Sequence, residues 1–206
     1  MQLHDAVANL GLQAAGAPEP TLIRAYTDSA RELCRRALVW RITLPTINSV
    51  ANQADYTLTP PTDGEIFDVI SLKYKDDMLT KATFEQAQRK DAASLNTPKY
   101  FQAGIVNKVT LLGAPSASGD AIVARVNVQP DRNAVEIDDA IVDRWGEIIE
   151  LGAMARILRM AGQPWTSFDG TRYYTTEFEE KLELARSSAA DGDMHGVARK
   201  VRYGGL

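Results

Sequence analysis

LIRAYTDSARELCRRALVWRITL, residues 22–44, holds the change of period on which the fold turns. Leu22, Tyr26, Ala30, Leu33 and Ala37 recur every three or four residues and are joined by Ile23, Cys34 and Leu38. This spacing predicts one broad buried helical face, with Arg24, Asp28, Arg31, Glu32 and Arg35 mostly outside it. At Trp40 the period drops to two: Trp40, Ile42 and Leu44 alternate with Arg41 and Thr43 until Pro45, which has no N–H for a ladder. A helix therefore hands over to a strand at Trp40.

Upstream, Leu3, Val7, Leu10 and Ala14 predict a helix over residues 3–15, weakened by Gly11. Gly16-Ala17-Pro18-Glu19-Pro20 breaks the chain, and Thr21 is placed to cap the next helix, running to about Val39. Downstream, strands are expected at 55–59, 66–74 and 78–80, with a hairpin turn at Asp76-Asp77. Thr83 to Ala93 reads as a short polar helix whose Thr83 and Gln86 are spaced as a capping box. Three more strands are expected at 99–103, 108–112 and 121–128, the last closed by Pro130. The connection before it, Gly113, Ala114, Pro115, Ser116, Ala117, Ser118, Gly119 and Asp120, has the composition of an exposed loop tip.

Helical periodicity returns after Asp138-Asp139 with Ile141, Trp145, Ile148, Ile149, Gly152, Ala155 and Leu158. At about 25 residues and roughly 38 Å this is expected to be the longest element. Asp169-Gly170 is expected as a turn before a last helix over 171–190 with a weak apolar set, Tyr174, Phe178, Leu182 and Ala185. The expected fold is α+β: a helical bundle built from the N- and C-terminal helices (1–40 and 137–190) with an inserted antiparallel β lobe (41–136). Residues 191–206 hold too little apolar content to pack alone and are expected to be a flexible docking tail.

Charge is uneven along the chain. The net charge of −4 combines +1 over residues 1–50, −2 over 51–136, −6 over 137–194 and +3 over 195–206. Without a Lys/Arg stripe, sequence-specific grip on a duplex is disfavoured. The single cysteine, Cys34, excludes an internal disulfide and reads as a packed thiol in a reducing compartment. No stretch approaches the roughly 20 apolar residues of a membrane span, and MQLHDAVANL lacks the order of a secretory signal, so a cytoplasmic product with no membrane partner is expected.

Residues arranged for chemistry are few. His4 and His195 sit near opposite ends, so no Ser/His/Asp or Cys/His arrangement is expected, and no catalytic residue is assigned. Neither His-Glu-x-x-His nor a phosphate-cradling glycine motif occurs, so no metal and no cofactor are expected. Asp138, Asp139 and Asp143 leave one enzymatic alternative open, a metal-dependent phosphoesterase, against the plainer reading that they favour a helix N-terminus. Arg35, Arg36 and Arg41 beside Trp40 read as helix-end charges and a covered junction, with a phosphate cluster as the alternative. Trp165, Phe168, Tyr173 and Tyr174 read as a staple between the last helices, or as interface anchors. In the tail, Arg199, Lys200, Val201, Arg202 and Tyr203 alternate basic and apolar groups. They read either as a frayed end or as a strand added to a neighbour's edge, drawn by its acidic surface.

Over nearly the whole chain the order and local pattern of these elements resemble the head-to-tail adaptor (head completion, or connector) proteins of tailed bacteriophages, in particular their tail tubular protein A-like group. The resemblance is carried by Leu22 to Arg41, by DYTLTPPTDGEIFDVISLKY (55–74), by DDAIVDRWGEIIELGAMARIL (138–158) and by YYTTEFEEKLELA (173–185). It implies a non-enzymatic virion protein at the head–tail junction, assembled in the host cytoplasm. That protein would be one subunit of a homo-oligomeric, dodecameric ring beneath the portal protein, extending a conduit through which DNA passes without sequence-specific binding. It further implies that Arg199 to Tyr203 reach the portal or a neighbouring subunit, and that Gly113 to Asp120 contact tail (nozzle or tube) proteins. A tail completion or terminator protein of the same virion is the alternative within this class.

Overall fold

A computed structural model describes residues 1–89, 97–104 and 106–192. The first apolar block forms two short helices, α1 (Leu3–Ala6) and α2 (Ala8–Gln13), rather than one. Val7 (φ −92°, ψ −3°) ends the first and starts the second, and this kink keeps Leu3, Val7, Leu10 and Ala14 all buried. Helix α3 (Glu19–Ala37) follows. Thr21 does not cap it: Pro18 stands at the cap in extended conformation, and its carbonyl accepts from the N–H groups of Thr21 and Leu22 at 2.9 and 3.2 Å. Pro20 in the first turn has no N–H to satisfy, which removes part of the need for a side-chain cap. At the other end Leu38 adopts a left-handed conformation (φ 53°), and its N–H bonds the Cys34 carbonyl, turning the chain into the sheet.

The strands are β1 (Arg41–Thr43), β2 (Ile47–Asn48), β3 (Asp55–Thr57), β4 (Gly64–Tyr74), β5 (Asp77–Lys81), β6 (Tyr100–Ala103), β7 (Lys108–Leu112) and β8 (Ala121–Pro130). They form one sheet in the order β1-β8-β4-β5-β6-β7-β3, with β2 also on β8. The expected antiparallel lobe is corrected at one seam: β5 and β6 run parallel, Thr80 opposite Tyr100 and Lys81 opposite Phe101. The reason is the connection. Residues 82–99, which include helix α4 (Phe84–Arg89), are long enough for the crossover that parallel strands require. Thr83 and Gln86 do form a reciprocal capping box there: the Gln86 amide donates to Thr83 Oγ1 at 3.3 Å and the Thr83 amide to Gln86 Oε1 at 3.1 Å. The β4–β5 turn is Lys75-Asp76, one residue earlier than expected, with Lys75 left-handed (φ 56°) and Tyr74 opposite Asp77.

Helix α5 (Asp139–Leu158) begins where the acidic pair predicts, with Asp138 accepting the Ala140 amide at 2.9 Å. It spans 20 residues and is not the longest element, because α6 (Phe168–Gly192) spans 25. The Asp169-Gly170 pair, expected as a turn, lies inside the first turn of α6. Ser167 Oγ accepts from the Gly170 N–H at 3.0 Å and so caps the helix three residues earlier. Gly170 serves closeness instead of a turn, since a Cβ there would lie 2.7 Å from Leu158 Cδ1 at the end of α5.

Helices α3, α5 and α6 pack on one another, and α3 covers β8. A single apolar cluster joins the helices (Leu22, Leu33, Ile149, Ile157, Phe178, Leu182) to the sheet (Leu72, Ile122, Val126, Val128). Polar side chains pair across the seam between them. Arg31, with its side chain 7% exposed, donates to the Pro130 carbonyl and, at 2.8 Å, to Glu65 Oε2, which also accepts from Gln129 Nε2 at 2.8 Å. Arg35 Nε donates to Gln129 Oε1.

Candidate interaction surfaces

The loop after β7 is half hidden. Gly113, Ala114 and Pro115 are buried, Ser116, Ala117, Ser118 and Gly119 are exposed, and Asp120 is intermediate, so the exposed tip is four residues, fewer than the eight expected. The loop is held by residues that the sequence pattern did not single out. The Ser49 hydroxyl donates to the Ala117 carbonyl at 3.1 Å and accepts from the Asp120 amide at 3.0 Å. Ser118 Oγ accepts the Ala51 amide at 2.8 Å, and the Asn52 amide bonds the Pro115 carbonyl at 2.9 Å. At its base the Tyr74 hydroxyl donates to Asp120 Oδ2 at 2.5 Å, and Lys75 Nζ lies 3.2 Å from the same oxygen. The Tyr74 hydrogen bond, aided by Lys75, holds the Asp120 carboxyl below its ordinary range. Burial, then the Asp120 charge, pushes the Tyr74 hydroxyl up to about 12. No periodicity marks Ser49 to Asn52; the only signal is the concentration of small polar residues on both segments.

The residues Arg199, Lys200, Val201, Arg202 and Tyr203 lie outside the described residues. The arginines near Trp40 are engaged within the chain. Arg36 forks onto Glu179 through both Nη atoms at 2.7 and 2.6 Å and also bonds Glu32, tying α3 to α6. Arg41 reaches the Ala189 carbonyl at 3.5 Å; burial, with Arg125 nearby, lowers its pKa. Trp40 is buried at the helix–strand junction, its carbonyl accepting the Val128 amide at 2.9 Å. Cys34 is fully buried, and desolvation pushes its thiol up to about 12, the opposite of an activated nucleophile.

Asp138, Asp139 and Asp143 do not converge. Asp138 caps α5, Asp139 bonds the α-amino group of Met1, and Asp143 is exposed. Among the described residues no group of three or more His, Cys, Asp and Glu side chains is placed to hold a metal ion. The aromatic group near the α5–α6 connection divides: Trp165 and Tyr174 pack against the core, and the Tyr174 hydroxyl donates to Gln13 at 2.9 Å. Tyr173 meets Tyr174 edge-on at 5.2 Å but is 59% exposed, and Phe168 is 80% exposed. Trp165 and Tyr174 face inward, Tyr174 reaching α2 through Gln13, and the other two face solvent.

Two features of the helical layer escape a one-dimensional reading. Between α3 and the end of α5 lies a concavity of about 670 Å³ whose lining includes Pro20, Arg24, Asp28, Arg156, Arg159 and Met160. On α6, Tyr173, Glu177, Glu180 and Leu184 follow at spacings of four, three and four, on the face opposite the buried Phe178, Leu182 and Ala185. Arg24 and Arg159 look like solvated charges in sequence, and only the α3–α5 crossing brings them to one groove. No helix among the described residues is long and apolar enough to cross a membrane. Neither a protein-family model nor a curated protein matches this chain.

Proposed function

We propose that this chain is a structural virion protein, the subunit of a head-to-tail adaptor ring. The ring docks under the portal, extends the DNA conduit and attaches the tail at the head–tail junction after assembly in the host cytoplasm. The observation that carries this reading is the outward side of the helical layer. The longest helix, α6, keeps Phe178, Leu182 and Ala185 inside while presenting Phe168, Tyr173 and Leu184, at 80, 59 and 70% exposed, to solvent. Tyr173 and Leu184 share one side of this polar helix and Phe168 stands at its start, and exposed apolar groups of this size suit subunit contact. The sheet strands all fall between α3 and α5 in the chain, which is the element order on which the resemblance to the adaptor group rests. The short exposed tip Ser116–Gly119, pinned at its base, is the surface offered to tail proteins.

The acidic balance of the chain fits a passive conduit, which must let DNA slide without holding it. Residues 199–203, basic and apolar in turn, are the segment proposed to reach the portal or a neighbouring subunit. Co-elution with the cognate portal on size exclusion tests the reading, with deletion of residues 195–206 expected to abolish it while the fold is retained. Capture of tail tube in place of portal would support a tail completion or terminator protein instead. Cleavage of DNA in magnesium or manganese would support the phosphoesterase, whose three aspartates lack a common focus.

A further inference from the structure

Arg24 and Arg159 are exposed at the α3–α5 concavity and make no hydrogen bond or ion pair within the described residues. Arg156 of the same lining is already held, by Glu32 and by the Gly152 carbonyl at 2.7 Å. Pro20, Ala25 and Met160 supply the apolar part of the lining. On α6 the complementary set occurs: Glu177 and Glu180 are without partners within the described residues, whereas their neighbours Glu179 and Lys181 are engaged by Arg36 and Glu147. Tyr173 and Leu184 flank those two carboxylates along the same ridge.

We infer that the α6 ridge of one copy seats in the α3–α5 groove of the next copy, head to tail. Glu177 and Glu180, one helical turn apart, offer two carboxylates at the spacing of neighbouring side chains, roughly 5–6 Å between Cβ atoms. Free guanidinium forks are the groups that bind such carboxylates bidentately, and Tyr173 and Leu184 exclude water around the pairs. A ring needs a heterologous contact, in which the ridge of one copy meets the groove of the next, and it closes when the rotation between successive copies does. Nucleic-acid phosphate is the poorer occupant, because Asp28 lines the same groove and the chain as a whole is acidic. The inference rests on the ring reading above and names the faces that would make the ring.

Sedimentation velocity of the full chain, from micromolar to about 1 mM, tests it with two charge reversals, E177R/E180R and R24E/R159E. The wild type should self-associate, more weakly at high salt, and each variant should lose at least about tenfold in association while keeping its far-UV spectrum. An equimolar mixture of the two variants should regain association, which misfolded chains cannot do. A monomeric wild type over the whole range, association unchanged in the variants, or no recovery on mixing overturns the inference. So does retention of a short DNA duplex that R24E/R159E alone abolishes, which would give the groove to phosphate. Association lost only when residues 193–206 are removed would give the acidic ridge to the basic tail and overturns it equally. Portal capture, scored in parallel, separates the readings: a chain that binds portal but fails these tests loses this interface alone.

Discussion

Gly152 of α5 faces Ser29 of α3 with no room for a methyl group: a Cβ at Gly152 would lie 2.2 Å from Ser29 Oγ and 2.7 Å from Phe178 Cε2 on α6. Side chains of all three helices crowd this point, and a glycine, otherwise unfavourable inside a helix, permits it. Gly152→Ala is expected to destabilise the chain by roughly 2–3 kcal/mol, seen as a lower midpoint in urea. Ser29 Oγ is buried with no hydrogen-bond partner, so Ser29→Ala alone should be neutral or stabilising by up to about 1 kcal/mol. The double variant should recover only part of the loss, because Phe178 still obstructs. Equal stability of Gly152→Ala and wild type would refute this packing.

Arg31 joins helix to sheet more firmly than its partner Glu65 does. The guanidinium side chain is 7% exposed and the carboxylate 41%. Arg31→Met, which keeps volume but strands the buried Pro130 carbonyl, should lower stability by roughly 2 kcal/mol, a melting-temperature decrease of about 4–8 °C. Glu65→Gln should change it by less than about 1 kcal/mol. Calorimetry on both variants decides, and a larger loss for Glu65→Gln would contradict the assignment.

Much of this architecture was legible in one dimension because burial here follows period. The stripe Leu22, Tyr26, Ala30, Leu33, Ala37 is buried throughout, and so are Phe178, Leu182 and Ala185. What escaped depends on contacts between distant segments. The parallel β5–β6 pair needs knowledge of which strands meet, and the early start of α6 depends on a Ser167 cap that the Asp-Gly pair conceals. The candidate surfaces were less legible still. Arg24 and Arg159 stand 135 positions apart and meet only at a helix crossing, and Ser49 joins Asp120 only across the loop.

Alkaline pH should destabilise the fold through its buried hydroxyls and thiol. Burial raises Tyr26, Tyr74 and Cys34 to about 12 from ordinary values of 10, 10 and 9. The folded chain therefore keeps protons that the unfolded chain releases. Their stabilisation is full below about pH 9 and is lost progressively as pH rises toward 12. Melting temperature measured from pH 8 to 12 should fall, and less steeply in Tyr26→Phe, whose ring still fills the core. An unchanged slope in that variant would contradict the desolvated environment of Tyr26.

Tyr74→Phe removes the hydroxyl that holds Asp120 while leaving the buried ring in place. Amide exchange at Gly119 and Asp120 should speed up, with global stability nearly unchanged. The Asp120 carboxyl is held below its ordinary range, so the latch is present above the usual carboxylate pKa and is lost as pH falls through the lowered value. The wild-type loop should accordingly loosen under acid, and exchange at these two amides identical in wild type and variant would refute the latch.

The most direct test of the adaptor reading is electron microscopy of the purified chain mixed with its cognate portal. The expected image is a ring of this protein stacked coaxially on the portal ring, with α6 at the contacts between neighbouring subunits. Portal rings left bare beside unassembled chains, at concentrations where both are in excess, would contradict it.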